Sequence, residues 1–245
     1  MGRPRLNPEI RELITTVASE NVLWGTERIR GELLKLGIVV SSRSIRRYRR
    51  CRHPRPPSQS WRTFLANHAR AIWAADLFVT PTLTFQTIYV IFFISHGSRQ
   101  LVHFDVTAHP TAARVWRQLI EATPWDRKPR YLIHDRDRVW GADFDQRASG
   151  LAIKGLRTPI RAPRANSIGE RWVRTIRQEC LDHLIPLSEH HLRRILAEFI
   201  DYYNHDRPHR SLGLQAPFPK PPARHGRLAI RPILGGLHHV YDRAA

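Results

Sequence analysis

Three short apolar segments follow one another in the middle of the chain, and they limit its possible folds more than any other feature. They occupy residues 72–79, 87–94 and 101–106 and are rich in the β-branched and aromatic residues of buried strands. A predicted helix opens at Pro110, and a fourth strand covers residues 131–134. A shorter helix, a short extended segment and a longer helix come next. This order predicts a mixed sheet with helices packed on its faces, and therefore the α/β fold class.

The first fifty residues show a different pattern, that of three short helices starting near Asn7, Thr26 and Ser41. The third helix and its end carry six arginines, which are Arg43, Arg46, Arg47, Arg49, Arg50 and Arg52. A small all-α unit with a basic third helix is typical of a helix-turn-helix domain, whose third helix meets the DNA major groove.

A helical bundle with a merely solvated basic face is the alternative. Six arginines within ten positions repel one another unless a polyanion neutralises them, which favours DNA. We therefore expect Arg43, Arg46, Arg47 and Arg50 to contact DNA.

Composition shifts suggest four parts. Residues 1–52 form the predicted helix-turn-helix domain, and residues 53–69 form a linker that begins with a proline-rich stretch. Residues 70–217 form the α/β core. Residues 218–245 are predicted to be a basic, proline-rich and extended tail.

The charge of the chain indicates its class of partner. With 40 Lys and Arg against 21 Asp and Glu, the formal net charge is +19, which indicates a polyanion and, above all, nucleic acid. An anionic membrane surface is the competing partner, but no run of 18 apolar residues and no lipidation signal occurs. The chain start lacks an apolar signal region, and Cys51 and Cys180 make neither a zinc quartet nor a disulfide framework. We expect a cytoplasmic, nucleoid-associated protein.

Three carboxylates occupy positions that call for a chemical reason. Asp76 interrupts an apolar strand, Asp135 follows another, and Glu170 lies near the start of a helix. A buried, unpaired carboxylate costs several kcal/mol, so it is paired, protonated or bound to a metal. Oxygen ligands without a Cys/His set favour Mg²⁺ or Mn²⁺, and two such ions can serve an in-line phosphoryl transfer. Competing acids lie nearby in sequence, namely Asp105, Asp137 and Asp143.

The Glu170 helix has a basic flank that includes Arg174 and Arg177. Glu170 and Arg177 are two turns apart and can point to one side, as suits a site for a metal and the phosphates around it. A solvated ion pair on a helix surface is the ordinary alternative.

Several motifs carry a family resemblance. They are Trp73-Ala-Ala-Asp76, His134-Asp135-Arg136, Asn166 four residues before Glu170, and Arg177 seven residues after it. Tyr203-Asn-His-Asp-Arg-Pro-His-Arg-Ser-Leu-Gly213 with Pro217 forms a further motif. Together they resemble the catalytic core of insertion-sequence transposases and retroviral integrases, the DDE recombinases of the ribonuclease H-like fold. The spacing from Asp135 to Glu170 is one residue shorter than is typical of that family.

The resemblance implies a Mg²⁺-dependent enzyme that cleaves and transfers DNA strands at insertion-sequence ends and works as a homo-oligomer. Asp76, Asp135 and Glu170 would be catalytic metal ligands, and Arg177 would contact DNA. Asn166 would position a ligand or bind backbone rather than the ion. Asp137 stands where many relatives have glycine.

Three points stay open from sequence alone. Arg207 and His209 in the last motif either touch DNA or fix their loop by hydrogen bonds. A catalytically inactive, DNA-binding remnant of a transposase is one alternative function. A ribonuclease H-like nuclease without strand transfer is the other.

Overall fold

A computed structural model describes residues 6–21, 24–49, 61–124, 127–158, 166–221 and 225–244. The chain divides into two compact units, Met1–Ser60 and Trp61–Ala245.

The smaller unit contains the three predicted helices. They are α1 (Pro8–Glu20), α2 (Thr26–Lys35) and α3 (Ser42–Tyr48). The side chain of Asn7 accepts a hydrogen bond from the Glu9 amide at the start of α1, and Ser41 caps α3 through Ser44. The fully buried Ile14, Ile29 and Ile45, one from each helix, form the centre of its core.

The larger unit is built on a five-stranded sheet. Its strands are β1 (Ile72–Pro81), β2 (Thr87–Ser95), β3 (Leu101–Thr107), β4 (Tyr131–His134) and β5 (Lys154–Arg157). Their spatial order is β3-β2-β1-β4-β5, with antiparallel pairing on the β3 side of β1 and parallel pairing on the β5 side. This mixed sheet confirms the predicted α/β fold class and its ribonuclease H-like arrangement.

Helices cover both faces of the sheet. One face carries α5 (Ala112–Ala122) and α6 (Phe144–Gly150), whose apolar side chains pack with those of Trp73, Ala75 and Phe93. The other face carries α7 (Ser167–Ile176), which continues into a π-helical turn at Arg177–Leu181, and α8 (Glu189–His205). Trp172 of α7 lies there against Phe92, with ring centroids 4.3 Å apart. Successive residues of β1 face opposite sides of the sheet. Asp76 therefore lies on the same face as Ala74 and Phe78, which is the face that α7 covers.

A short helix, α4 (Trp61–His68), precedes the sheet. The rings of Phe64 and His68 contact Tyr131 at the start of β4, with centroids 5.1 and 5.4 Å apart. The second half of the predicted linker is therefore helical and packed on the core; residues 53–60 lie outside the described part of the chain.

The expectation of an extended C-terminal tail is wrong. Residues Arg227–Ile233 and His238–Ala244 form an antiparallel hairpin, β6 and β7. Ile233, Leu234 and Val240 are buried in the same core as α7 and α8. Polar contacts add to this packing, because Glu198 of α8 accepts a hydrogen bond from the Leu234 amide, and Arg231 pairs with the nearly buried carboxylate of Asp206 at 2.7 Å.

Asn204, near the end of α8, completes one edge of the sheet. Its Oδ1 accepts from the Leu101 amide at 2.9 Å, and its Nδ2 donates to the Leu101 carbonyl at 3.0 Å. Leu101 begins the edge strand β3, so a side-chain amide satisfies both backbone groups that a further strand would otherwise bind.

Candidate active site

Asp76 is a half-buried carboxylate in the middle of β1. Its Oδ1 accepts a hydrogen bond from the Leu77 amide at 2.8 Å, and its Oδ2 accepts one from Asn166 Nδ2 at 3.0 Å. Burial, together with the nearby charges of Asp135, Glu170 and Asp137, raises the pKa of Asp76 to about 6, although the Leu77 amide opposes the shift. Negative charge is thus concentrated around this strand of a strongly basic protein.

An open groove of about 510 Å³ runs between β1 and α7. Asp76 and Glu170 both line it, and so do Arg174 and Arg177 one and two helical turns after Glu170. Glu170, Arg174 and Arg177 are exposed. Arg177 Nη2 donates to the Val79 carbonyl at 3.0 Å, and its guanidinium lies 5.8 Å from the centre of the Phe78 ring. The groove is therefore lined by acids from both sides, Asp76 on β1 and Glu170 and Asp182 after it in the chain, and by two cations, Arg174 and Arg177.

Asn166 links the start of α7 to β1. It occupies the N-cap position of α7 without capping the helix by its side chain, which is buried and turned to Asp76 instead. Gly169 makes room for this amide, because a Cβ at position 169 would lie 2.9 Å from both Asn166 Nδ2 and Oδ1. Among the described residues, Asn166 Oδ1 is buried without a hydrogen-bond donor.

Asp135 directly follows β4 and is held by neighbours in its own loop. Its Oδ1 accepts from the indole Nε1 of Trp140 at 2.6 Å and from the Asp137 amide at 3.1 Å. Trp140 is buried beside Phe144 of α6, in the core on the face of the sheet opposite to α7. Packing of the ring in that core fixes the direction of its indole N–H.

The three competing acids have other partners. Asp105 on β3 binds Arg114 of α5 at 2.6 Å and Arg193 of α8 at 2.7 Å, and it thereby joins helices on the two faces of the sheet. Asp143 pairs with Arg147 on the surface. Asp137 accepts from the Val139 amide at 3.0 Å and caps a single helical turn.

The donor set fits a hard divalent cation in its chemistry. Only carboxylate oxygens are offered, and a cation would offset the burial and the neighbouring negative charges that together raise the pKa of Asp76. Within the described ranges, however, no three Asp, Glu, His or Cys side chains are grouped closely enough to hold one ion. Asp76 and Glu170 share the groove, but the three carboxylates are not assembled around a common point.

The other predicted DNA-binding residues are partly exposed and partly paired. Arg43, Arg46 and Arg47 on α3 are exposed, while Arg50 lies outside the described residues. The guanidinium of Arg207 binds Glu179 through Nε at 2.7 Å and through Nη2. His209 is buried and its Nε2 lies 3.2 Å from the Tyr203 carbonyl. In the present structure these last two side chains hold the loop, which is one of the two interpretations left open by the sequence.

Trp140 and Gly169 were missed by sequence reasoning. A glycine within the first turn of a helix, where it weakens the helix, was a usable signal for Gly169. For Trp140 no comparable signal exists, because a tryptophan near a strand end is ordinarily a packing residue.

A family model described as "integrase core domain" matches residues 151–217. The segment includes β5, α7, α8 and the Tyr203–Gly213 motif, with Asn166, Glu170 and Arg177 inside it and Asp76 and Asp135 before it. The predicted integrase-core family is thereby confirmed for this part of the chain. No curated protein matches the sequence significantly.

Solved structures give weaker likenesses. The HTLV-2 integrase catalytic core domain in complex with magnesium, in a trimeric form, is 13% identical; the match covers 59% of this chain and 92% of that chain, with a TM-score of 0.47. The catalytic core domain of BIV integrase is 14% identical over 61% of this chain and 91% of that chain, with a TM-score of 0.45. Both scores lie below 0.5, so the fold assignment rests on the sheet order.

No helix in the described ranges is long and apolar enough to cross a membrane.

Proposed function

We propose that this protein is a DDE-type polynucleotidyl transferase that cleaves DNA at insertion-sequence ends and transfers the cut strand to target DNA. The observation that carries the proposal is the groove that Asp76 and Glu170 line together with Arg174 and Arg177. An acid in an apolar strand, with an acid and two cations along the neighbouring helix, suits a reaction on a phosphodiester.

Asp76, Asp135 and Glu170 are the proposed ligands of Mg²⁺ or Mn²⁺, with two ions as the expected number. Such ions, when bound, would activate water or a 3′-hydroxyl and neutralise charge on the leaving oxygen. Glu170 is exposed and lies on the first turn of α7, so its side chain is free to turn toward Asp76 when a cation reduces the repulsion between the carboxylates.

Two further side chains are proposed to position the ligands. Asn166 donates a hydrogen bond to Oδ2 of Asp76, and the Leu77 amide donates one to Oδ1. Both carboxylate oxygens therefore have a fixed direction. Trp140 fixes one oxygen of Asp135, Oδ1, through its indole donor. Neither side chain carries charge, so each can hold a carboxylate without competing with a cation for it.

Arg174 and Arg177 are proposed to bind the phosphates of the DNA strand that enters the groove. Arg43, Arg46, Arg47 and Arg50 of the helix-turn-helix unit are proposed to bind the terminal repeats, and Arg207 is a further DNA contact if its pair with Glu179 opens. The expected state is a homo-oligomer in the bacterial cytoplasm, at the nucleoid.

The proposal is tested by cleavage and joining of labelled DNA that carries the ends flanking this gene. Wild type, Glu170→Gln and the control Glu121→Gln are compared with Mg²⁺, Mn²⁺ or EDTA. Glu121 is an exposed acid on α5, on the other face of the sheet. We expect metal-dependent cut and joined products from wild type and the control, and DNA binding without products from Glu170→Gln, because glutamine keeps the shape and removes the charge that binds metal.

The alternatives give different results. Tight binding without products under every metal would favour the inactive remnant, an outcome to which the dispersed arrangement of the three carboxylates lends some weight. Metal-dependent cutting without joined products would favour a ribonuclease H-like nuclease. Equal cleavage by wild type and Glu170→Gln would remove Glu170 from the site.

A further inference from the structure

A second cavity, of about 320 Å³, lies on another side of α7 from the groove. It is bounded by α7, by the turn between β2 and β3, and by the loop that follows α8. We call it the arginine cavity, after the four arginines among its lining residues, which are Arg99, Arg171, Arg207 and Arg210. Among the described residues, no carboxylate lines it.

The positive charge of the arginine cavity is poorly balanced. Glu179 pairs with Arg207, but no carboxylate of the described residues forms an ion pair with Arg99, Arg171 or Arg210. Burial and the charge of Arg171 lower the pKa of Arg99. A guanidinium stays protonated in proteins, so the fold tolerates this repulsion rather than relieving it by loss of a proton.

Two residues that line the arginine cavity, Arg99 and Trp172, have buried hydrogen-bond donors without acceptors. Arg99 Nη1 is buried and has no partner in the described part of the protein, and the same holds for Nε1 of Trp172. A buried donor without an acceptor costs about 1–3 kcal/mol, so such groups ordinarily have a partner. Both unsatisfied groups are donors, and one of them belongs to Arg99, so an acceptor that carries negative charge would satisfy them and balance the cations of Arg99, Arg171 and Arg210.

The backbone of Arg99 is consistent with a functional reason for its position. Its φ is 61°, in the left-handed region that a residue with a Cβ seldom adopts. The turn is closed by a hydrogen bond from the Arg99 amide to the Ser95 carbonyl at 3.0 Å. A glycine in this place would relieve the backbone but would remove the guanidinium.

We propose that the arginine cavity is a phosphate-binding site, separate from the groove of Asp76 and Glu170. A phosphate group offers several acceptor oxygens and up to two negative charges, which matches unpaired guanidiniums and buried N–H donors. The volume exceeds that of one phosphate and accommodates an attached sugar. Trp172 and Tyr203 supply flat apolar lining for it.

The arrangement of α7 favours a DNA backbone as the source of this phosphate, a point that rests on the proposed function. Glu170, Arg174 and Arg177 line the groove, whereas Arg171 and Thr175 line the arginine cavity. Adjacent helical positions differ by about 100° around the axis, so the two sites flank one helix. A strand that crosses α7 from the groove reaches the cavity within a few nucleotides.

The first test asks whether the cavity takes phosphate at all. Thermal unfolding of the whole protein is measured in phosphate and in chloride at equal ionic strength, in EDTA, for wild type, Arg171→Gln, Arg99→Gln and the control Arg117→Gln. Arg117 is an exposed arginine on α5, outside the cavity. Phosphate strengthens apolar burial in every variant, so the difference between variants is decisive. We expect wild type and the control to gain about 3 °C more in phosphate than the two cavity variants.

The second test asks whether DNA supplies the phosphate. Binding of a labelled duplex is followed as a function of salt for the same four proteins, without metal. Loss of one phosphate contact lowers the slope of log K against log salt by about 1. We expect that decrease in Arg171→Gln and not in Arg117→Gln.

Each result has a definite reading. Equal gains in melting temperature in phosphate for all four proteins would overturn the site. Arg171 is exposed, so Arg171→Gln tests the site even if Arg99→Gln fails to fold. If the cavity variants lose the gain in melting temperature in phosphate but Arg171→Gln keeps the wild-type salt slope of DNA binding, DNA is overturned as the source of the phosphate. Free phosphate or a nucleotide is then the ligand. Neither measurement needs catalysis, so failure of the cleavage assay would leave both results readable.

Discussion

Asn166 and Asp76 are ninety positions apart in sequence, and their contact depends on the glycine at position 169. We predict that Gly169→Ala displaces the Asn166 amide and reduces DNA cleavage about tenfold or more, since a fixed ligand direction matters to catalysis. Alanine favours a helix by about 1 kcal/mol over glycine, so the melting temperature should not fall. Gly150→Ala at the end of α6, where nothing lies within 4 Å of the added Cβ, is the matched control. Normal cleavage by Gly169→Ala would show that activity does not depend on the contact between Asn166 and Asp76.

A second prediction at this scale concerns Asp105. Burial alone would raise the pKa of this carboxyl, but hydrogen bonds and charge from Arg114 and Arg193 outweigh burial and lower it. A folded-state pKa below the unfolded value of about 3.9 gives stability that is present above that pH and is lost as the pH falls through the folded value. Asp105→Asn should therefore cost about 2 kcal/mol at neutral pH, after allowance for the partly exposed arginines.

The measurement is urea unfolding of wild type and Asp105→Asn from pH 7 down to the acid limit of the fold. The two curves of unfolding free energy should converge in acid. Asp143→Asn, which breaks an exposed pair with Arg147, should change stability by less than about 0.5 kcal/mol at any pH. A pH-independent difference for Asp105→Asn would contradict the charge explanation.

Single residues also show how far sequence reasoning reaches. Asp76, Asp135 and Glu170 could be predicted as site residues because the apolar segments around them show where the strands and the helix lie. The resemblance predicted that Asn166 positions a ligand or binds backbone, but its partner Asp76 and the contact of Trp140 with Asp135 could not be predicted, because a donor's direction depends on packing from elements elsewhere in the chain. The assignment of these carboxylates as metal ligands stays a prediction.

At the scale of elements, apolar periodicity predicted the four strands of residues 72–134 and the helices around them to within a few positions. The C-terminal hairpin escaped prediction. Its strands carry arginine and proline, and in β6 only the last residue, Ile233, is buried, in the core that α8 also lines. Such a strand pair gains its stability from tertiary burial, which a local pattern does not display.

Two isoleucines of β6 that differ in exposure provide a test of this docking. Ile233 is 3% exposed in the core, whereas Ile230 on the same strand is 56% exposed. We predict that Ile233→Ala destabilises the protein by about 2–4 kcal/mol and that Ile230→Ala changes stability by less than about 0.5 kcal/mol. Thermal or urea unfolding of the whole protein measures both. Equal, small effects would mean that the hairpin does not share the core.

At the scale of the molecule, a net charge of +19 should make DNA binding strongly dependent on salt. We predict that changing Arg43, Arg46 and Arg47 together to glutamine lowers the slope of log K against log salt by about 2–3, provided that α3 lies on DNA. A triple Arg→Gln variant at exposed positions of the larger unit, Arg117, Arg147 and Arg194, is the control with equal net charge. Equal slopes for the two triple variants would reject a specific role for α3.

Asn204 has a consequence for the solution behaviour of the protein. Edge strands are the places where folded molecules recruit one another into aggregates. At the start of β3 the two backbone groups that an incoming chain would use are already occupied by the Asn204 amide. Asn204, which follows Tyr203 in the last sequence motif, thus takes the place of a neighbouring strand at this one position. Replacing Asn204 would therefore first lower the yield of soluble protein and its stability in storage.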